Sequence, residues 1–182
     1  LGVPVKVNIE NGVAAIALAW LNGVTPEEIR KGMASFAGPK RRFDFHLKKD
    51  AIVLIDDYAH HPTEIAATLK TAASYPHKTI WCVFQPHTYS RTKALLPEFA
   101  EALALADKVV LAPIYAARET DTLGISSLDL QKLIEEKGTE AVYFSTFDEI
   151  EEFLLKNCIH DDLLITMGAG DVYKIGENLL GL

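Results

Sequence analysis

The sequence predicts an α/β fold: a Rossmann-like, mostly parallel sheet with helices on both faces, preceded by a short helical hairpin. Three observations carry this. Short apolar runs at 51–55, 79–84, 108–112 and 163–167 show no polar alternation, the pattern of strands buried on both faces. Amphipathic segments separate them, so strand and helix signals alternate as βαβ units do. The loops after these runs are rich in His, Arg, Asp and Tyr, whereas the opposite loops, at 75–78, 106–107 and 137–139, read as ordinary turns.

In order, residues 8–21 (NIENGVAAIALAWL) are dense in alanine and aliphatics and stop at Asn22-Gly23, a helix terminator. Thr25 caps a second helix, with Pro26 in its first turn, Glu27 and Glu28 at the positive end of its dipole, and Ile29 and Met33 on its inner face. Ala37-Gly38-Pro39 breaks the pattern, which puts a domain boundary near Gly38 and divides the chain into 1–38 and 39–182. Lys40-Arg41-Arg42 leads into residues 43–47, which alternate like a half-buried strand. After a turn at Asp50 come a strand at 51–57 and a helix at 62–75, opened by Pro62 and closed by Tyr75-Pro76. A strand at 79–84 is followed by a helix at 92–106, with Leu95, Leu96, Phe99 and Leu103 inward and Pro97 in its first turns. The strand at 108–112, helix at 127–137 capped by Ser126 or Ser127, strand at 141–144, helix at 148–155, strand at 163–167 and helix at 172–180 complete the chain.

Composition narrows the function. With 182 residues, 49% hydrophobic and 24% charged, the chain has enough material for one sizeable α/β domain with a small appendage. A formal net charge of -7 argues against general binding to nucleic acid or anionic membrane and leaves room only for local phosphate contacts. Two cysteines without a CxxC pair fit a reducing cytoplasm, and the apolar stretch at 13–21 is too short to span a bilayer, so no membrane insertion is expected. Leu1 opens almost directly onto a helical pattern, as in a piece of something larger.

The chemistry gathers at the carboxyl ends of the strands, where open α/β sheets bind ligands. Asp56-Asp57-Tyr58-Ala59-His60-His61 follows the first, residues 85–92 (QPHTYSRT) the second, residues 113–119 (PIYAARE) the third and Gly168-Ala169-Gly170-Asp171 the last. Each has a plain alternative. Asp56 is a turn cap or a ligand; Asp57 suits ribose hydroxyls. Arg91 binds an anion at a helix start or pairs with a surface carboxylate. His87 is a site residue or a satisfied core histidine. Lys40-Arg41-Arg42 is a solvated linker or a phosphate contact. Gly168-Ala169-Gly170 is a tight turn or part of the site, and Cys82 reads as core. Adjacent His60 and His61 are poor co-ligands with no third ligand in spacing, so no metal site is assigned. Walker A, GxSxG and zinc patterns are not found in these residues.

Residues 56–64 (DDYAHHPTE), residues 84–92 (FQPHTYSRT), Arg41-Arg42-Phe43 and Gly168-Ala169-Gly170-Asp171 resemble the Mur ligases of peptidoglycan synthesis, and the resemblance runs through essentially the whole chain. It implies the C-terminal, Rossmann-like domain, which brings in the amino acid and closes over ATP, preceded by the last helices of the central ATPase domain. It also implies ATP with Mg2+, UDP-N-acetylmuramate and L-alanine as partners, a cytoplasmic location, and inactivity of this piece alone, since the P-loop is missing. The expected reaction activates the muramoyl carboxylate as an acyl phosphate and lets an amine attack it. By motif position, Asp57 meets the ATP ribose, Arg42 reaches the nucleotide and Asn11 contacts adenine. Tyr58, His60, His87 and Arg91 line the amino-acid pocket, with His60 and Arg91 in catalytic roles. Thr88 stands where relatives commonly carry arginine, so one anion contact is either missing or supplied by Arg118, and Val5-Lys6-Val7-Asn8-Ile9-Glu10-Asn11 keeps two asparagines of a family motif but not its glycine and histidine. The alternatives are a recycling ligase that attaches a tripeptide to the same sugar, and a non-catalytic nucleotide- or peptide-binding module.

Overall fold

A computed structural model describes residues 6–36, 40–49, 52–120 and 123–181. Strands β1 (Asp44–Lys49), β2 (Ile52–Asp57), β3 (Ile80–Phe84), β4 (Lys108–Leu111), β5 (Glu140–Tyr143) and β6 (Leu163–Met167) form a six-stranded sheet in the order β1-β2-β6-β3-β4-β5. Every neighbouring pair is parallel except β1 and β2, an antiparallel hairpin at one edge. The helices are α1 (Lys6–Leu21), α2 (Pro26–Ser35), α3 (Pro62–Ala72), α4 (Tyr89–Ala94), α5 (Leu96–Leu103), α6 (Ser127–Glu136), α7 (Phe147–Asn157) and α8 (Tyr173–Leu180). The expected α/β architecture is therefore present. The boundary at Gly38, the Asp50 turn and Val5 lie outside the described residues.

Strand side chains alternate between two cores, as the period of two requires. Ile55, Cys82, Val109 and Ile165 pack with Ile65 and Leu69 of α3, Phe99 and Leu103 of α5, and Leu130 and Ile134 of α6. Leu54, Trp81, Val110 and Leu164 face the other way, onto Ile150 and Leu154 of α7 and Ile175 of α8. Cys82 is core, as expected, and its burial pushes the thiol up to about 12. Thr25 caps α2 as expected, its hydroxyl accepting from Glu28 N while the Glu28 carboxylate accepts from Thr25 N at 3.0 Å.

One element differs. The helix expected over 92–106 is two, α4 and α5, separated by Leu95 at φ −118° and ψ 25°. Pro97 has no N–H, and its ring collides with the carbonyl four residues earlier in a continuous helix, so the ladder stops and restarts. As α4 begins already at Tyr89, Arg91 lies inside it and not ahead of it.

The topology builds one edge. The chain steps outward from β2 to β5 through α3, α5 and α6 on one face, then returns through α7 and inserts β6 between β2 and β3. In register, Asp57 stands beside Met167, Met167 beside Phe84 and Phe84 beside Leu111. Four strand ends are thus flush, and the loops after β2, β6, β3 and β4 follow one another in that order. Among the described residues, no helix is long and apolar enough to cross a membrane.

Candidate functional site

The floor of the edge is an ion pair. Asp56, 3% exposed, takes Arg41 Nε at 2.9 Å on one oxygen and the Thr166 hydroxyl at 2.9 Å on the other. Arg41 also donates to Gly168 O at 2.8 Å and Gly170 O at 3.2 Å, and its guanidinium lies over the Tyr58 and Tyr173 rings at 5.1 and 4.4 Å. It therefore ties the residues before β1 to β2 and to the glycine loop after β6. Asp56 is the buried counter-charge of this latch.

Asp57 is the last residue of β2. Its carboxylate is 4% exposed and accepts from Phe43 N at 3.0 Å, Ala59 N at 2.8 Å and the Thr68 hydroxyl at 3.1 Å. Burial raises its pKa; those three donors and Arg42 oppose the rise. The residue braces the start of β1, the 58–61 loop and α3.

The glycine loop is clamped by Gln85. Its Oε1 accepts from Asp171 N at 3.0 Å and Val172 N at 3.2 Å, and its Nε2 donates to Asp171 Oδ1 at 3.1 Å. Gly168 has φ 148°, and a Cβ there meets Gln85 O at 2.8 Å. At Gly170 a Cβ collides with Gln85 Oε1 and lies 2.9 Å from Tyr115 Cγ. Packing against Gln85, just after β3, is what demands the small residues. Gly170→Ala is expected to cost about 2–3 kcal/mol through overpacking, read as a lowered denaturant midpoint with unchanged slope.

Above this floor four rings cross the edge. Tyr58 meets His60 edge-on at 5.5 Å, His60 lies 6.0 Å from His87, and His87 stacks on Tyr115 at 5.5 Å and 21°. His60 Nδ1 lies 3.0 Å from the Tyr58 carbonyl, which can only accept, so the neutral ring carries its proton on Nδ1 and its lone pair on Nε2. Its neighbour is oriented differently: His61 caps α3, with Nδ1 accepting from Thr63 N at 3.3 Å. Two nitrogens at this edge are shielded from water and lack hydrogen-bond partners among the described residues, His87 Nδ1 and Arg91 Nη1. Such atoms cost about 1–3 kcal/mol each in a folded chain and mark places that something else completes. His87 is therefore not the satisfied core histidine. Burial, then Arg91, then His60 lower its pKa below the ordinary histidine value, opposed by Glu119.

The start of α4 is already occupied. Glu119 accepts from Ser90 N at 2.9 Å and from the Ser90 hydroxyl, and Ser90 holds its pKa down. Any substrate anion here must rely on the Arg91 guanidinium itself, not on the helix end. Thr88, at φ 68°, binds Tyr115 O through its N–H at 2.9 Å, and Arg118 is exposed.

Tyr58, His60, His87 and Arg91 are brought to one edge. Arg42 joins it, with its guanidinium 5.6 Å from the Tyr58 ring and Nη1 3.5 Å from Glu64. Asn11 is exposed on α1, which packs on α2. Among the described residues no three His, Cys, Asp or Glu side chains converge on a metal position. Asp56 and Asp57 spend their carboxylates on internal partners, so the described residues at this edge do not fit a magnesium site, and Arg42 adds a half-buried cation to it. An apolar cavity of about 640 Å³ lies elsewhere, between β2, β6, α7 and α8.

Sequence reasoning missed Arg41, Gln85, Glu119 and Tyr115 as the parts that hold this edge. All four stood in the quoted motifs, but their contacts run to residues 15 to 129 positions away, which spacing does not display.

Comparison with known proteins agrees with the geometry. Residues 41–170 match the family model "Mur ligase, glutamate ligase domain". The chain is 60% identical over 180 residues to a UDP-N-acetylmuramate–L-alanine ligase of Lachnospira eligens, covering 99% of this chain and 39% of that protein. It is 48% identical over 180 residues to the protein of that name from Caldanaerobacter subterraneus, again 99% of this chain and 39% of the relative. Among solved structures, the UDP-N-acetylmuramate-alanine ligase MurC of Thermotoga maritima superposes with a TM-score of 0.80 at 28% identity, covering 98% of this chain and 38% of that one. The chain thus spans about two fifths of the length of these relatives. The family match, the flush strand ends and the motifs meeting on them agree: this chain belongs to the Mur ligase family, as its glutamate ligase domain.

Proposed function

We propose that the chain is the amino-acid-binding, ATP-closing domain of an ATP-dependent ligase that joins L-alanine to UDP-N-acetylmuramate in the cytoplasm. One observation carries it: two buried nitrogens without hydrogen-bond partners among the described residues, the guanidinium donor Arg91 Nη1 and the ring nitrogen His87 Nδ1, share one edge. An α-amino acid offers the complement, a carboxylate for the first and an amine for the second. The names of the relatives at 48% and 60% identity supply the substrates.

In this reading Arg91 holds the amino acid's carboxylate, and Tyr58, His60 and His87 enclose its amine beside the acyl phosphate. Orientation and charge neutralisation are the chief tasks. ATP supplies the phosphoryl group that activates the muramoyl carboxylate. Arg42 approaches the nucleotide from the linker, and Asn11 the adenine. Asp57 meets the ribose once the 58–61 loop shifts. Residues 1–38 form the tail of a preceding ATPase domain and 39–182 the C-terminal one. Supporting this, α1 and α2 leave Val13, Leu18, Trp20 and Leu21 between 61% and 85% exposed, more apolar surface than a finished surface hairpin shows.

The test is phosphate release by the full-length protein with ATP, Mg2+ and UDP-N-acetylmuramate. L-alanine is expected to support turnover, and L-alanyl tripeptide is not. Turnover with tripeptide alone would move the assignment to a recycling ligase, and turnover with neither to a binding module.

A further inference from the structure

We propose that Glu64 is a positioning residue that ties the nucleotide side of the edge to the amino-acid side, holding Arg42 with one carboxylate oxygen and the His60 loop with the other. This rests on the reading above, in which Arg42 meets the nucleotide and His60 the amino acid.

By its place in the chain Glu64 has a local task. It is the third residue of α3, and a glutamate there folds back to accept an N–H ahead of the helix. Its Oε2 does so, accepting from His60 N at 3.3 Å. Two further contacts exceed that task. Oε2 also lies 3.7 Å from His60 Nδ1, which has the Tyr58 carbonyl at 3.0 Å, so two acceptors face that nitrogen and keep its proton there. Oε1 lies 3.5 Å from Arg42 Nη1, on the segment before β1, a partner that helix capping does not call for.

These contacts close a ring. The Arg42 guanidinium is 5.6 Å from the Tyr58 ring, Tyr58 meets His60 edge-on at 5.5 Å, and Glu64 joins His60 back to Arg42. A displacement of Arg42 toward a phosphate is therefore felt at His60 through Glu64. Strength is not what the pair supplies: the Arg42 and Glu64 side chains are 38% and 33% exposed, and solvent screens an ion pair of that exposure. It supplies direction. An unpaired arginine head samples many rotamers, whereas a carboxylate on the first turn of α3, whose next residue Ile65 is fully buried in the core, restricts Arg42 to the Tyr58 side.

Glutamine caps a helix as glutamate does but carries no charge, so Glu64→Gln keeps the cap and removes the positioning. In the full-length protein this variant is expected to hold its Tm within about 2 °C of wild type while the KM for ATP and the KM for L-alanine each rise about fivefold. Arg42→Gln is expected to raise the KM for L-alanine about fivefold in the wild-type background and less than about 1.5-fold in the Glu64→Gln background, because the path between the two sides is already cut. Unchanged KM values in Glu64→Gln would reduce Glu64 to a helix cap and overturn the proposal. A rise in only one of them, or additive effects of the two substitutions on L-alanine, would overturn it as well. If wild type uses the tripeptide instead of L-alanine, the substrate reading falls, and the same cycle with tripeptide as the varied amine decides the Glu64 role; a wild type that turns over neither overturns both.

Discussion

Arg91→Ala in the full-length protein is expected to raise the KM for L-alanine about 100-fold while the KM for ATP stays within about twofold. The magnitude follows from removing one partner of a shielded, charge-assisted pair, which costs roughly 2–5 kcal/mol. Selectivity for the amino acid follows from position. Arg91 lies within α4, beside His87 and remote from the Arg41 and Arg42 side of the edge, where Tyr58 faces the linker. The start of α4 cannot substitute, because the Glu119 carboxylate already caps it through Ser90. Steady-state kinetics with each substrate varied in turn checks this, and an equal rise in both KM values contradicts it.

The second large effect is on stability. Arg41→Ala is expected to destabilise the chain by about 3–5 kcal/mol, because it strips the buried Asp56 carboxylate of its Arg41 counter-charge. For a chain of this size that lowers the Tm by roughly 10 °C. The carbonyls of Gly168 and Gly170 lose their donor as well, so the glycine loop loosens together with the sheet floor. Combining Arg41→Met with Asp56→Leu removes the stranded charge and is expected to unfold later than Arg41→Ala alone. Thermal unfolding followed by circular dichroism reads both; a double variant no more stable than the single would mean that the carbonyl contacts, not the ion pair, hold the edge.

What the sequence displayed was set by local physics. Ile165 and its strand neighbours declared themselves by continuous apolar runs, and Thr25 by a cap three residues ahead of Glu28. Pro97 was visible, yet its effect depended on where the helix started, and Tyr89 starts α4 earlier than periodicity suggests. The site was legible as residue types at strand ends, since a parallel sheet puts all such ends on one side. Depth was not. Asp56 and Asp57 are neighbours of the same chemistry at the end of one strand, and only the tertiary partners of β2 show that both carboxylates are consumed below the open edge. Arg41 and Arg42 pose the same problem: one becomes a latch on buried Asp56, and the other stays half-exposed beside Glu64.

The central claim is that Arg91 meets the carboxylate of the amino acid. A cycle in the full-length protein measures this contact directly, with kcat/KM compared for L-alanine and L-alaninamide in wild type and in Arg91→Ala. Wild type is expected to prefer L-alanine by about 100-fold and Arg91→Ala to lose that preference, a coupling of about 2.7 kcal/mol. The same preference in both proteins would place the carboxylate elsewhere and contradict the account.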